Sequence, residues 1–252
     1  MVVQDKVAVI TGAASGIGRE TARRYADHGA SVVAADVDAN GGAETIELIK
    51  TDGGEATFVE TDVIDPTAVE NMIETAVETY GDLDVLFNNA GIEGPLAELA
   101  EWEDDEIDPV IDINLKGVFY GMKYGIEAML ATGGGSIINT SSVGAAVGIN
   151  GRSMYCATKV GVNGLTRAAA IEYARDDIRV NSVLPGTTDT PMIHRSDDER
   201  QSERTELNAS DAMEGRGKPE QVAEAVLFLG SDRSDRITGV ELAVDGGFLA
   251  SP

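Results

Sequence analysis

Tyr155 and Lys159 lie four residues apart in the stretch SMYCATKVGVNGLT, residues 153–166. That is one turn of a helix, so both side chains leave the same face. A phenol beside an ammonium is a proton-transfer pair, because the positive charge favours the phenolate and moves the tyrosine pKa from about 10 toward working pH. The spacing alone is also that of any exposed helical turn, since short two-residue patterns recur by chance. A second stretch carries different chemistry: Thr11-Gly12-Ala13-Ala14-Ser15-Gly16-Ile17-Gly18. Gly12, Gly16 and Gly18 allow positive φ or close backbone approach. With Ser15 and Ile17 between them, they can present N–H groups and a helix N-terminus to a pyrophosphate. Asp36 follows roughly 20 residues after the glycines, where a carboxylate can accept both ribose hydroxyls of an adenosine. A 2′-phosphate would be repelled there, and neither Val37 nor Asp38 offers a basic alternative, so NAD is preferred over NADP.

These residues need elements to hold them. Lys6 to Ile10 is rich in β-branched residues and reads as a buried parallel strand running into the glycine turn, and Arg19 to His28 reads as the following helix. Ser31 to Ala35 is a second strand ending at Asp36. The alternation continues with a helix over Gly41–Thr51, a strand over Ala56–Glu60, a helix over Pro66–Tyr80 and a strand over Leu83–Phe87. Further strands fall at Ser136–Thr140, Arg179–Leu184 and Thr238–Val244, with a helix from Pro219 to Phe228. Strand and helix in strict alternation predict an α/β fold with a doubly wound parallel sheet. One helix, expected from about Glu101 to Leu130, contains Pro109, which removes a donor and should kink or restart it near Asn114.

With 252 residues, the chain is long enough for one large α/β domain. No apolar run reaches the length of a membrane span, and the opening MVVQDKVAVITG lacks a signal-peptide core. The lone Cys156 fits a reducing cytoplasm. Nineteen Lys and Arg against 44 Asp and Glu give a net charge of −25, which excludes nucleic acid and anionic membranes as partners. The acids are spread from Asp5 to Asp245, so they form a shell over an ordinary fold rather than a tail. Such self-repulsion is tolerable where salt screens it, so a salt-rich cytoplasm is expected. The two histidines, His28 and His194, are far apart and poorly surrounded by ligands, so no metal site is expected.

Six elements in order carry a resemblance: TGAASGIG at 11–18, NNAG at 88–91, Asn114 in DINLKG, Ser142 in INTSS, YCATK at 155–159 and NSVLPG at 181–186. Together they resemble a short-chain dehydrogenase/reductase over nearly the whole chain. The resemblance implies a single Rossmann-like domain across 1–252 with a small mobile substrate lid at about 191–217. It implies that Tyr155 exchanges a proton with the substrate oxygen while hydride moves to or from nicotinamide. Ser142 would hold the same oxygen. Lys159 would hold the nicotinamide ribose and depress the tyrosine pKa, and Asn114 would anchor a water linking Lys159 to solvent. Asp62 and Val63 would lie beside adenine and Asn89, Ala90 and Gly91 along the adenosine. Pro185, Gly186, Thr188 and Thr190 would clamp the carboxamide. A homotetramer is the implied assembly.

The expected activity is NAD-dependent oxidation of a secondary alcohol or reduction of a ketone. Val143, Ala145, Ala146 and Val147 beside Ser142 point to an uncharged, rather apolar pocket. A sugar or 3-hydroxyacyl dehydrogenase of the same family, or a catalytically silent dinucleotide-binding module, are the alternatives.

Overall fold

The runs VAVIT and VLFN have no polar residue before their last position, and a strand of that composition is stable only when both faces are covered. The computed structural model, which describes residues 1–196 and 212–251, places them at the centre of a seven-stranded sheet. The strands are β1 (Val7–Thr11), β2 (Ser31–Asp36), β3 (Glu55–Glu60), β4 (Val85–Asn88), β5 (Gly135–Thr140), β6 (Ile178–Pro185) and β7 (Glu241–Val244). Every pairing is parallel and the spatial order is β3-β2-β1-β4-β5-β6-β7. The fold is therefore a doubly wound α/β sheet of Rossmann type. The winding reverses between β1 and β4, and the loops leaving those two strands must part, opening a crevice at their C-terminal ends.

Helices cover both faces. On one side α1 (Gly16–Asp27), α2 (Ala39–Thr51) and α7 (Pro219–Gly230) bury Ala22, Tyr25, Ile49 and Val226 against the sheet. Tyr25 is wholly buried there, and its hydroxyl donates to the Val226 carbonyl at 2.9 Å, tying α1 to α7. On the other side α3 (Pro66–Tyr80), α5 (Gly117–Thr132) and α6 (Ser153–Glu172) contribute Met72, Ile73, Met122, Ile126 and Val162.

The helix expected from Glu101 to Leu130 is instead three pieces. α4 spans Asp104–Ile111 and contains Pro109, a π-turn occupies Asp112–Lys116, and α5 follows. Pro109 cannot donate to the carbonyl four residues back, and the helix changes pitch within the next turn, with Gly117 N–H reaching Asp112 O. Asn114 sits on this widened turn, the kind of irregularity that re-aims a side chain.

Candidate active site

The glycine loop leaves β1 with Gly12 at φ 68° and Gly16 at φ 52°, a region open to glycine at little cost. Its neighbours leave no room for a side chain at Gly12: a Cβ there would meet Asn89 Nδ2 at 2.9 Å and Ala90 Cα at 3.0 Å. At Gly18 it would overlap the Gly12 carbonyl oxygen, so this third glycine closes the loop on itself rather than facing the crevice. The loop after β4 is pinned to the same place. Asn89 N–H and Ala90 N–H both donate to Thr11 Oγ1, at 2.9 and 3.1 Å, and Asn89 Nδ2 donates to Thr11 O at 3.0 Å. At the end of β2, Asp36 Oδ2 accepts from Ala14 N–H at 2.9 Å and Oδ1 from Asp38 N–H at 3.0 Å. Those two bonds fix the carboxylate, and each oxygen keeps a lone pair for a hydroxyl.

Thr140 ends β5, and its carbonyl accepts from Lys159 Nζ at 2.9 Å. Ser142 caps the short turn after β5, its Oγ accepting from Gly144 N–H at 3.0 Å, and it also hydrogen-bonds the Tyr155 hydroxyl. Lys159 Nζ lies 5.5 Å from the centroid of the Tyr155 ring. Helical spacing and strand ends thus bring Ser142, Tyr155 and Lys159 to one spot.

The charge state differs from the expectation drawn from spacing. Burial pushes the Tyr155 hydroxyl up to about 12, against the opposing effect of the Ser142 hydrogen bond. Burial also lowers Lys159 to about 8. The ammonium does not bring the phenol down within the protein alone, because the same desolvation disfavours the charged form of each group. The i, i+4 spacing shows which face the residues share, not how dry that face is.

Asn114 is fully buried behind Gly91. Its Oδ1 accepts from Ile92 N–H and its Nδ2 donates to Ile92 O, each at 2.8 Å, with a longer 3.3 Å bond to Thr158 Oγ1. A Cβ on Gly91 would stand 3.0 Å from Asn114 Oδ1 and 3.6 Å from Lys159 Nζ, so the absent side chain leaves a gap between them.

These groups share one cleft of about 1600 Å³. Its wall includes Gly12, Ser15, Gly16, Ile17, Asp36, Asp62, Val63, Asn89, Ala90 and Gly91 at one end, and Ser142, Tyr155, Lys159, Pro185, Gly186, Thr188 and Thr190 at the other. Of the catalytic and cofactor-binding residues expected from the sequence, Gly18 and Asn114 alone stand off this wall. The glycine loop that a Cβ would fill, the fixed Asp36 carboxylate and the length of the cleft fit an extended dinucleotide. Of the four apolar residues named beside Ser142, Val143 lines the cleft and Ala145, Ala146 and Val147 do not; Val147 faces outward. The apolar walls come instead from Ile149, Met192, Ile193, Met213 and Phe248, brought from four separate segments. Residues 197–211 of the expected lid lie outside the described residues. Its two ends are held together, with Asp189 N–H donating to Gly217 O at 2.8 Å and Gly217 N–H to Thr187 O at 2.9 Å. Among the described residues no cluster could hold a metal ion, and His194 instead meets Asp189 at 2.6 Å on the surface.

Residues 12–249 match the family model described as enoyl-(acyl carrier protein) reductase. The chain is 42% identical over 246 residues to a cyclohexanol dehydrogenase of Acinetobacter sp. (strain SE19), covering 98% of this chain and 96% of that one. It is 43% identical to a cis-4-hydroxycyclohexanecarboxylate dehydrogenase of Sinomonas cyclohexanicum, covering 98% and 97%. Among solved structures it superposes on a carveol dehydrogenase from Mycobacterium avium in complex with NAD, at TM-score 0.92, 36% identity and 99% coverage of both chains. It also superposes on a putative 2-deoxy-D-gluconate 3-dehydrogenase from Agrobacterium tumefaciens with bound NADP, at TM-score 0.86, 33% identity and coverage of 99% and 98%. With likeness of this extent over both fold and length, the chain belongs to the short-chain dehydrogenase/reductase family of oxidoreductases.

Proposed function

We propose that the protein is an NAD-linked dehydrogenase of ring-borne secondary alcohols, acting reversibly on the corresponding ketones. The observation that carries this reading is the meeting of Ser142, Tyr155 and Lys159 in the cleft that also holds Asp36 and the glycine loop. Bound nicotinamide would supply the hydride acceptor. Ser142 Oγ and the Tyr155 hydroxyl would grip the substrate oxygen, and Tyr155 would take its proton. Lys159, charged below about pH 8, would favour the phenolate and hold the nicotinamide ribose. Asn114 fixes Ile92 and borders the gap beside Lys159. A water there, accepted by the second lone pair of Oδ1, would link the lysine to solvent.

NAD rather than NADP follows from Asp36, whose carboxylate is held at the end of β2 and would repel a 2′-phosphate. Family membership does not choose, since one structural neighbour holds NAD and another NADP. The walls formed by Val143, Ile149, Met192, Ile193 and Phe248 favour an apolar ring over a sugar or an acyl thioester, and two relatives are named for cyclohexane alcohols. Exposed Phe119 on α5 and Val160 and Ile171 on α6 support self-association as a homotetramer. The acid-rich composition supports work in a salty cytoplasm, and the lone Cys156 agrees with a reducing one.

The reading is tested by following reduced nicotinamide in high salt with cyclohexanol, borneol, a sugar and a 3-hydroxyacyl thioester, each with NAD and NADP. Turnover of the ring alcohols with NAD well above the rest is expected. Turnover confined to NADP, or to the sugar or thioester, would overturn it.

A further inference from the structure

Arg152 sits one residue before α6 and is 1% exposed. Its Nη1 donates to Gly94 O at 2.6 Å and its Nη2 to Ser196 Oγ at 2.8 Å. A buried guanidinium requires an opposite charge, and Glu93 provides one, with Oε2 3.4 Å from Nη2. That pair is loose, since charge-assisted bonds of this type usually run to about 2.7–2.9 Å. It is also one-sided. A carboxylate serving only as counter-ion would turn both oxygens to the guanidinium fork. Among the described residues Glu93 Oε1 has no hydrogen-bond partner, and Glu93 lines the cleft alongside Tyr155 with its side chain only 15% exposed. A half-paired carboxylate that opens onto the cleft can take a donor from whatever enters.

We propose that Glu93 is a specificity-determining residue of the alcohol site: its free oxygen accepts a hydrogen bond from a second hydroxyl on the substrate, and its charge turns carboxylated alcohols away. This rests on the reading of the protein as a dehydrogenase of ring alcohols and names which of them it favours. Arg152 is the positioning residue that holds Glu93 in the wall. The charge of Glu93 is felt at the reacting group, where it raises the Tyr155 pKa and outweighs the opposite effect of Arg152. Arg195 and Arg216 also line the cleft, but both are exposed at its mouth, where solvent weakens their pull on an anion. The expected substrate is thus a ring carrying two hydroxyls, one oxidised and one held.

The test compares kcat/KM for cyclohexane-1,4-diol, cyclohexanol and 4-hydroxycyclohexanecarboxylate in the wild type, Glu93→Gln and Glu93→Leu. A hydrogen bond to a charged group gives roughly tenfold discrimination or more. The wild type should therefore prefer the diol to cyclohexanol by about that factor. Glu93→Leu should erase the preference, and Glu93→Gln should keep part of it while raising the carboxylate's share at least about tenfold. Each readout is a ratio within one protein, so partial misfolding of a variant does not alter it. Unchanged ratios in both variants would overturn the proposal and leave Glu93 a mere counter-ion. Failure of the wild type to turn over either neutral alcohol would instead overturn the dehydrogenase reading, which no shift in ratio can imitate.

Discussion

A tyrosine acts as a base only as the phenolate, and at Tyr155 burial opposes that form by raising the pKa to about 12. On the proposed mechanism a charged Lys159 favours the phenolate, and burial confines that charge to pH below about 8. On the same mechanism alcohol oxidation needs the deprotonated tyrosine and should quicken as pH rises, whereas ketone reduction needs the protonated one and should slow. Tyr155→Phe should lower kcat in both directions by roughly 10²–10⁴-fold while cofactor affinity is kept. Lys159→Met should move the rising limb of the oxidation profile to higher pH, because the phenolate loses its neighbouring cation. Profiles of kcat/KM against pH check both; a Phe variant that retained most of its turnover would remove Tyr155 from the chemistry. The pairing of Tyr155 with Lys159 was legible in the sequence because helical spacing is local. Their protonation was not, since it depends on burial by segments far along the chain. Glu93 escaped for the same reason: its partner Arg152 lies 59 residues away.

At the level of elements, β1, β2 and β4 were readable from β-branched and apolar runs that few other structures tolerate. The α3 boundaries agree to the residue, because Pro66 starts that helix and Gly81, at φ 89°, ends it. The division into α4, a π-turn and α5 was only partly readable: Pro109 announces a disturbance, but not that it is resolved by widening the turn at Asp112–Lys116. Asn114 takes its direction from that turn, and its ties to Ile92 and Thr158 span 22 and 44 residues. Close approach between β1 and α1 gives a sharper prediction. Gly18→Ala would drive a methyl group into the Gly12 carbonyl, forcing the loop open. Cofactor affinity should fall by about tenfold or more, while Tm drops by only a few degrees, the shift expected for about 1 kcal/mol. Titration with the dinucleotide and a melting curve separate the two. Loss of stability with affinity intact would show that the loop relaxes elsewhere.

Across the whole molecule the dominant number is the net charge of −25. Favourable ion pairs exist, such as Lys6 with Asp232 at 2.9 Å and Arg19 with Glu44 at 2.7 Å, but 19 cations cannot answer 44 acids. Self-repulsion falls as the Debye length shrinks from about 8 Å at physiological ionic strength to about 3 Å at 1 M. Tm should therefore climb steadily with KCl across that range. A Tm that is flat or falling would show that the acids are placed where they do not repel. The short parallel clasp between Thr187–Asp189 and Gly217 has a different consequence. A chain whose two ends are already fastened side by side incurs its loop-closure entropy mainly at the fastening, and lengthening the excursion adds little. Because the clasp fixes where the chain leaves and re-enters the fold, a change of length between residues 190 and 216 should leave the glycine loop and Asp36 in place.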